Sequence, residues 1–89
     1  MIVTARVAGS DALSLFIVDA TAAGVARESF VAVDGSRGAH LDFDRVSLGA
    51  GSVLGEVGAG LPLALAAIDS AIVAIGAESL GAMQSLLDA

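Results

Sequence analysis

The stretch HLDFDRVSLGAGSVLG, His40 to Gly55, opens as a strand and closes as something else. Leu41 and Phe43 alternate with Asp42 and Asp44, the period of two that sends apolar residues to one face of a sheet and carboxylates to the other. Val46 and Leu48 fall on the opposite parity, so the apolar face changes sides between Phe43 and Val46. A slip of one residue is what a bulge or a bend out of a sheet produces. The strand is therefore predicted to leave its sheet near Arg45 and to run into the glycines at 49, 51 and 55.

Downstream, from about Val57, the period changes to that of a helix. Leu61, Leu65, Ile68, Ile72, Ile75, Met83 and Leu86 fall on one stripe, with Asp69, Ser70, Glu78, Gln84 and Asp88 assigned to the opposite half. Pro62 fits the first turn, where its missing N–H removes no intrahelical bond. A single helix from about Gly60 to Leu87 is expected, with more apolar face than a few strands can cover.

Upstream, IVTARV (Ile2–Val7) and LSLFIVD (Leu13–Asp19) are β-branched and aliphatic runs around the turn residues Gly9, Ser10 and Asp11, which reads as a hairpin. Leu13, Leu15 and Ile17 share one face of the second strand, Phe16 and Val18 the other, so both sides are expected to be covered. ATAAGVARESF reads as a loop bent at Gly24, followed by a short strand at Ser29–Val33 and the turn DGSRG. The fold class is α+β: antiparallel strands up to about Leu48, then one long C-terminal helix. Residues 1–56 form the β part and residues 57–89 the helical part.

Composition narrows the function. The chain has 89 residues and is 56% hydrophobic, with a mean hydropathy of +0.88. So short a chain hides a smaller share of its surface than a full-sized domain. Apolar surface must then be covered by another chain or by missing parts of a larger protein. A net charge of −6 with only four Lys or Arg and 3% aromatics argues against nucleic acid. With no cysteine there is no disulfide, thiolate nucleophile or Cys-ligated zinc. Asp69 and Glu78 interrupt the apolar run Leu61–Ala77, which falls short of the roughly 20 residues of a span. No membrane span and a cytoplasmic location are expected.

Several constellations invite chemistry. His40, Asp42 and Asp44 alternate along one strand at a spacing that would seat a divalent metal, but no further His or carboxylate cluster completes the ligand set, and a solvated face is the better reading. GAGSVLG and VGAGLP look like glycine-rich phosphate loops, yet no strand follows the helix, so a linker from sheet to helix is preferred. Glu28 with Asp34, and Asp42 with Asp44, are nominal carboxylate pairs for acid and base work, and surface charge is the simpler reading of both.

Taken in order, three blocks resemble the flavin-dependent acyl-CoA dehydrogenase family. LSLFIVDATAAGVARESF is similar to that family's "slFlVd...pGv" segment, LDFDRVSLGAGSVLG to its "FddVrVP...lLG" segment, and GAGLPLALAAIDSAIVAIGAESLGAMQSLLD to the opening helix of its C-terminal domain. The resemblance covers nearly the whole chain as a fragment: the end of the middle, β-barrel-like domain and the first helix of the helical bundle. Phe43, Asp44, Val46, Leu54 and Gly55 match the exit between them, and Gly49 stands where the family usually has proline. AGSD at Ala8–Asp11 mimics a family motif at the wrong place and is read as a turn.

The resemblance implies FAD as cofactor and α,β-dehydrogenation of an acyl-CoA thioester. A carboxylate removes the α-proton, flavin N5 accepts the β-hydride, and an electron-transfer flavoprotein receives the electrons. It implies an oxidoreductase of fatty acid metabolism. On the helix, Asp69 matches an aspartate near the CoA part of the substrate, but Ile72 replaces the arginine three residues on. Ala71 stands where some members carry the catalytic glutamate, so no catalytic residue is assigned, and the chain is expected to be inactive by itself. A homo- or hetero-oligomer is expected. The rival reading is a non-catalytic interaction or oligomerisation module, or part of a subunit whose partner carries the chemistry.

Overall fold

Each pair of β-prone runs is joined by a turn that its own residues close, and two hairpins result. In the computed structural model, which describes residues 1–89, the elements run β1 (Ile2–Arg6), β2 (Leu13–Ile17), β3 (Val25–Val31), β4 (Arg37–Phe43) and α1 (Gly60–Leu87). β1 and β2 are antiparallel, from Ile2 opposite Ile17 to Arg6 opposite Leu13. Their turn is held by the Ser10 N–H donating to the Val7 carbonyl at 3.0 Å, and Gly9 takes a left-handed φ of 81°. The ladder continues beyond β1, where the Val18 N–H donates to the Met1 carbonyl at 2.8 Å.

β3 and β4 are antiparallel from Val25 opposite Phe43 to Val31 opposite Arg37. The structure corrects the loop expected over ATAAGVARESF: from Val25 onward it is strand, and the strand expected at Ser29–Val33 starts four residues earlier and ends at Val31. VARES carries charge on both parities and so hides its period, but pairing with β4 satisfies its backbone and fixes it as a strand. The two sheets stay separate, each of two strands. They form no closed barrel, and with the long helix that follows they make the α+β chain of antiparallel strands and one C-terminal helix that the sequence predicts.

The exit from the second sheet is where the sequence puts it. The Asp44 N–H donates to the Gly24 carbonyl at 2.8 Å, and the next residue, Arg45, turns at φ 50°, the one non-glycine residue at positive φ. For a residue with a Cβ this conformation costs about 1–2 kcal/mol. Gly24 makes the approach possible, since a Cβ there would run into the Asp44 carbonyl. A 3-10 turn at Ala50–Ser52 follows, and Val53 forms an antiparallel bridge with Phe16.

α1 then runs 28 residues, about 42 Å at 1.5 Å per residue. It has no side-chain cap at its start, no acidic residue in its first turn and no basic residue in its last. Its stability must come from packing rather than from its ends. By length and composition alone it is apolar enough to cross a membrane.

Little of the chain is buried. Leu15 and Val18 form the apolar core, and of the 89 residues only four are buried, Ser14 and Gly60 being the others. The chain exposes 6913 Å², whereas a compact monomer of its mass exposes about 4,700 Å². Its radius of gyration is 17.7 Å against about 12 Å for a compact chain of this length. The excess surface, about 2,200 Å², is the size of a substantial protein interface.

The approach of α1 to β2 is open to mutation. Gly60 sits so close to β2 that a Cβ would lie 2.9 Å from the Leu13 carbonyl oxygen and 3.0 Å from the Leu15 nitrogen. Those are backbone atoms and cannot swing aside, so Gly60→Ala is expected to lower stability by about 1–3 kcal/mol in a urea titration followed by circular dichroism.

The turn of the second hairpin responds to acid. The Ser36 hydroxyl donates to the Asp34 carboxylate at 2.7 Å and the Ser36 N–H at 2.9 Å, and together they hold Asp34 below the usual aspartate value. The folded pKa is therefore below the unfolded one. The stabilisation is full above the unfolded value and is lost as pH falls through the folded value. The amide signals of β3 and β4 are expected to disperse less as acid titrates Asp34, and Asp34→Ala is expected to remove that acid-linked step.

Candidate functional site

The junction between strands and helix gathers three of the four buried residues, Ser14, Leu15 and Gly60. β2 supplies Ser14 and Leu15, adjacent residues on opposite faces, 0% and 5% exposed. On one side the Gly58 N–H donates to the Ser14 Oγ at 2.7 Å, and Gly60 lies against the same backbone. Along the edge of β2 the Leu54 N–H donates to the Leu15 carbonyl at 2.8 Å. Gly55 and Gly58 carry φ values of 80° and 81°, conformations that residues with a Cβ disfavour, and thread the chain from this bond into α1.

Beside the junction lies a cleft of about 250 Å³ lined only by apolar side chains, with Val3, Phe16 and Val18 from the first hairpin and Phe43, Val46 and Leu48 from the exit segment. The bend at Arg45 creates it: by moving the apolar parity from Phe43 to Val46 it keeps both facing the first hairpin. No charged or hydrogen-bonding side chain lines it, so it can hold hydrocarbon or a neighbouring apolar side chain and has no means of orienting a polar group.

Beyond its first residue α1 is nearly bare. Leu65, Ile68, Ile72 and Ile75 are half exposed or more, and so are Val73 and Leu80 away from the main stripe. The helix is thus apolar on more sides than the stripe alone implies. Its serines satisfy themselves: Ser70, Ser79 and Ser85 donate to the carbonyls of Ala66, Ile75 and Gly81 at 3.1, 2.9 and 2.9 Å. Covering these faces would therefore leave no hydroxyl unpaired.

The residues singled out in sequence are dispersed. Asp69 stands exposed in the middle of α1, as do Ala71 and Ile72. Asp44 lies past the end of β4 and pairs with its neighbour Arg45 at 3.2 Å, so it does not share a strand face with His40 and Asp42 as the alternation suggests. His40 packs against Phe30, ring centroids 4.9 Å apart. No three His, Asp or Glu side chains gather at one place. Glu28 sits in mid-strand while Asp34 closes the turn, so that pair is not formed. Asp19 is held below the usual aspartate value by the Thr21 N–H and hydroxyl, at 2.8 and 2.7 Å. Ser14 escaped the sequence reading, although a lone polar residue inside LSLFIV was its signal.

The whole chain is similar to a probable acyl-CoA dehydrogenase of Mycobacterium leprae, 34% identical over 92 aligned residues that make up 24% of that protein. The chain thus spans about a quarter of the length of the curated relative it matches. No family model matches it, and no solved structure matches it significantly.

A helix so bare should seek cover. Purified chain is expected to sediment as an oligomer and to enhance the fluorescence of a hydrophobic dye, both weakened by Ile68→Glu with Ile72→Glu. Monomeric sedimentation without dye binding is the contrary result.

Proposed function

We propose that this chain is the sheet-to-bundle junction of an acyl-CoA dehydrogenase, an oxidoreductase acting on acyl-CoA thioesters in fatty acid metabolism. The observation that carries the reading is the match to the mycobacterial relative along the entire chain. The bend at Arg45, the glycine-lined crossing and the apolar helix, in that order, support it. The role of the chain is scaffold: it fixes the direction in which the first bundle helix leaves the strands, through Ser14, Gly58 and Gly60.

Its own residues do not fit the flavin. Isoalloxazine needs polar partners along its edge and walls on several faces. The apolar cleft has no polar partner to offer, and four buried residues enclose nothing of that size. Asp69 is assigned at most a contact on the CoA side of the complete enzyme, and Ala71 supplies no base. The acceptor of the complete enzyme is an electron-transfer flavoprotein on this reading, and the location is cytoplasmic.

We place α1 in a helical bundle rather than a bilayer, because Asp69 and Glu78 in mid-helix each cost about 2.5–3.5 kcal/mol in a membrane. The exposed faces of α1 also favour a second reading, an oligomerisation module without catalytic duty. A hybrid separates the two. This chain replaces the matching quarter of the mycobacterial relative, and the hybrid is purified and scanned for flavin absorbance. Retained flavin that bleaches with acyl-CoA is expected, while the isolated chain purified with excess FAD is expected to be colourless. A folded hybrid without flavin would overturn the junction reading and leave the module.

A further inference from the structure

The β3–β4 hairpin separates its charges by face. In the observed register, Arg27, Ser29 and Val31 of β3 share one face with Leu41, Ala39 and Arg37 of β4, while Glu28, Phe30, His40 and Asp42 share the other. The first face therefore carries two arginines and no carboxylate, on a chain whose net charge is −6. Neither arginine is paired with an acid, since the only ion pair joins Arg45 to Asp44. Both line one concavity of about 470 Å³, together with Ser29, Phe30, Val31, Gly38 and Ala39, a volume within the usual range of ligand pockets.

The spacing converges on a point. Arg27 and Arg37 are offset by four residues along the ladder, about 13 Å, and the pair midway between them is Ser29 opposite Ala39. An arginine side chain is long enough to reach about half that offset, so both guanidinium groups are within reach of a group seated over Ser29. The Arg27 Nε already donates to the Ser29 Oγ at 3.3 Å, which leaves the Ser29 hydroxyl proton free to donate onward. Ala39 opposite is small enough to leave the room. All the polar side chains of this face are then donors, and a donor-only site between two planar guanidinium forks matches a tetrahedral oxyanion.

We propose that this face of the β3–β4 hairpin binds a phosphate group, held between the guanidinium groups of Arg27 and Arg37 with the Ser29 hydroxyl beneath it. The net negative charge of the chain repels anions at long range, so binding rests on short charge-assisted hydrogen bonds rather than on a general field. Val31 and Leu41, apolar neighbours on the same face, give an organic substituent on the phosphate somewhere to lie. The source of the group, free phosphate or a phosphomonoester, is separated by the experiment.

The test titrates the full chain with inorganic phosphate at constant ionic strength set by chloride, following the Arg Nε–H and Ser29 amide signals by NMR. Saturable shifts confined to Arg27, Ser29 and Arg37 are expected. Arg27→Gln and Arg37→Gln are each expected to weaken binding about tenfold, whereas Arg6→Gln, on β1, is expected to leave it unchanged. Phenyl phosphate binding more tightly than inorganic phosphate assigns the site to a phosphomonoester, and equal binding assigns it to the free anion. Absence of saturation, or an equal loss in the Arg6 variant, would overturn the proposal.

Discussion

Everything in this chain hangs from the contact between the backbone of β2 and the first residue of α1. Gly60 lies against Leu13, Ser14 and Leu15 with no room for a Cβ, and the Ser14 hydroxyl accepts the Gly58 N–H just before the helix begins. Backbone against backbone is a close and rigid approach, and it fixes the angle at which a helix of 28 residues departs. Side chains add little to that attachment, since no other residue of α1 is buried. The Ser14 hydroxyl is the buried partner, and leaving such a group without its hydrogen bond would cost about 1–3 kcal/mol, so the serine and the glycine act together.

The same attachment explains the open form of the molecule. A hairpin with one covered edge and a helix held by its tip bury few side chains, so apolar residues that would line a core in a closed domain stand in solvent. The serines along α1 donate to their own helix, and its start carries no side-chain cap. Such a helix is built to be surrounded. That property accords with both the junction of a larger enzyme and an assembling module, and the two differ in whether flavin comes with the partner.

The second hairpin does a different job. It touches the first through the apolar cleft, where Phe43 and Val46 face Val3, Phe16 and Val18, and otherwise stands apart with its charges sorted by face. The bend at Arg45 serves both ends of this arrangement. Its left-handed backbone ends the ladder, and its shift in parity keeps apolar side chains turned toward the first hairpin after the sheet has ended. Gly24 is the partner in this bend, its carbonyl taking the Asp44 N–H.

Local pattern determined much of this in advance. The alternation from Leu41 to Phe43, its slip before Val46, the glycines beyond and the change of period near Val57 specified strand, bend, crossing and helix, because backbone geometry ties each pattern to one conformation. The same reasoning lost the start of β3, since VARES has no period of its own and becomes a strand only by pairing with β4. The face that Arg27 and Arg37 share depends on that pairing and was equally illegible. Asp69 could be singled out only by likeness, and nothing around it in space lends it a role. Ser14 and Gly60, far apart in sequence and ordinary in type, acquire their importance only when the chain brings them together. Sequence determines what is periodic and local, and the tertiary structure alone decided which backbone groups meet, because contact between distant residues leaves no pattern along the chain.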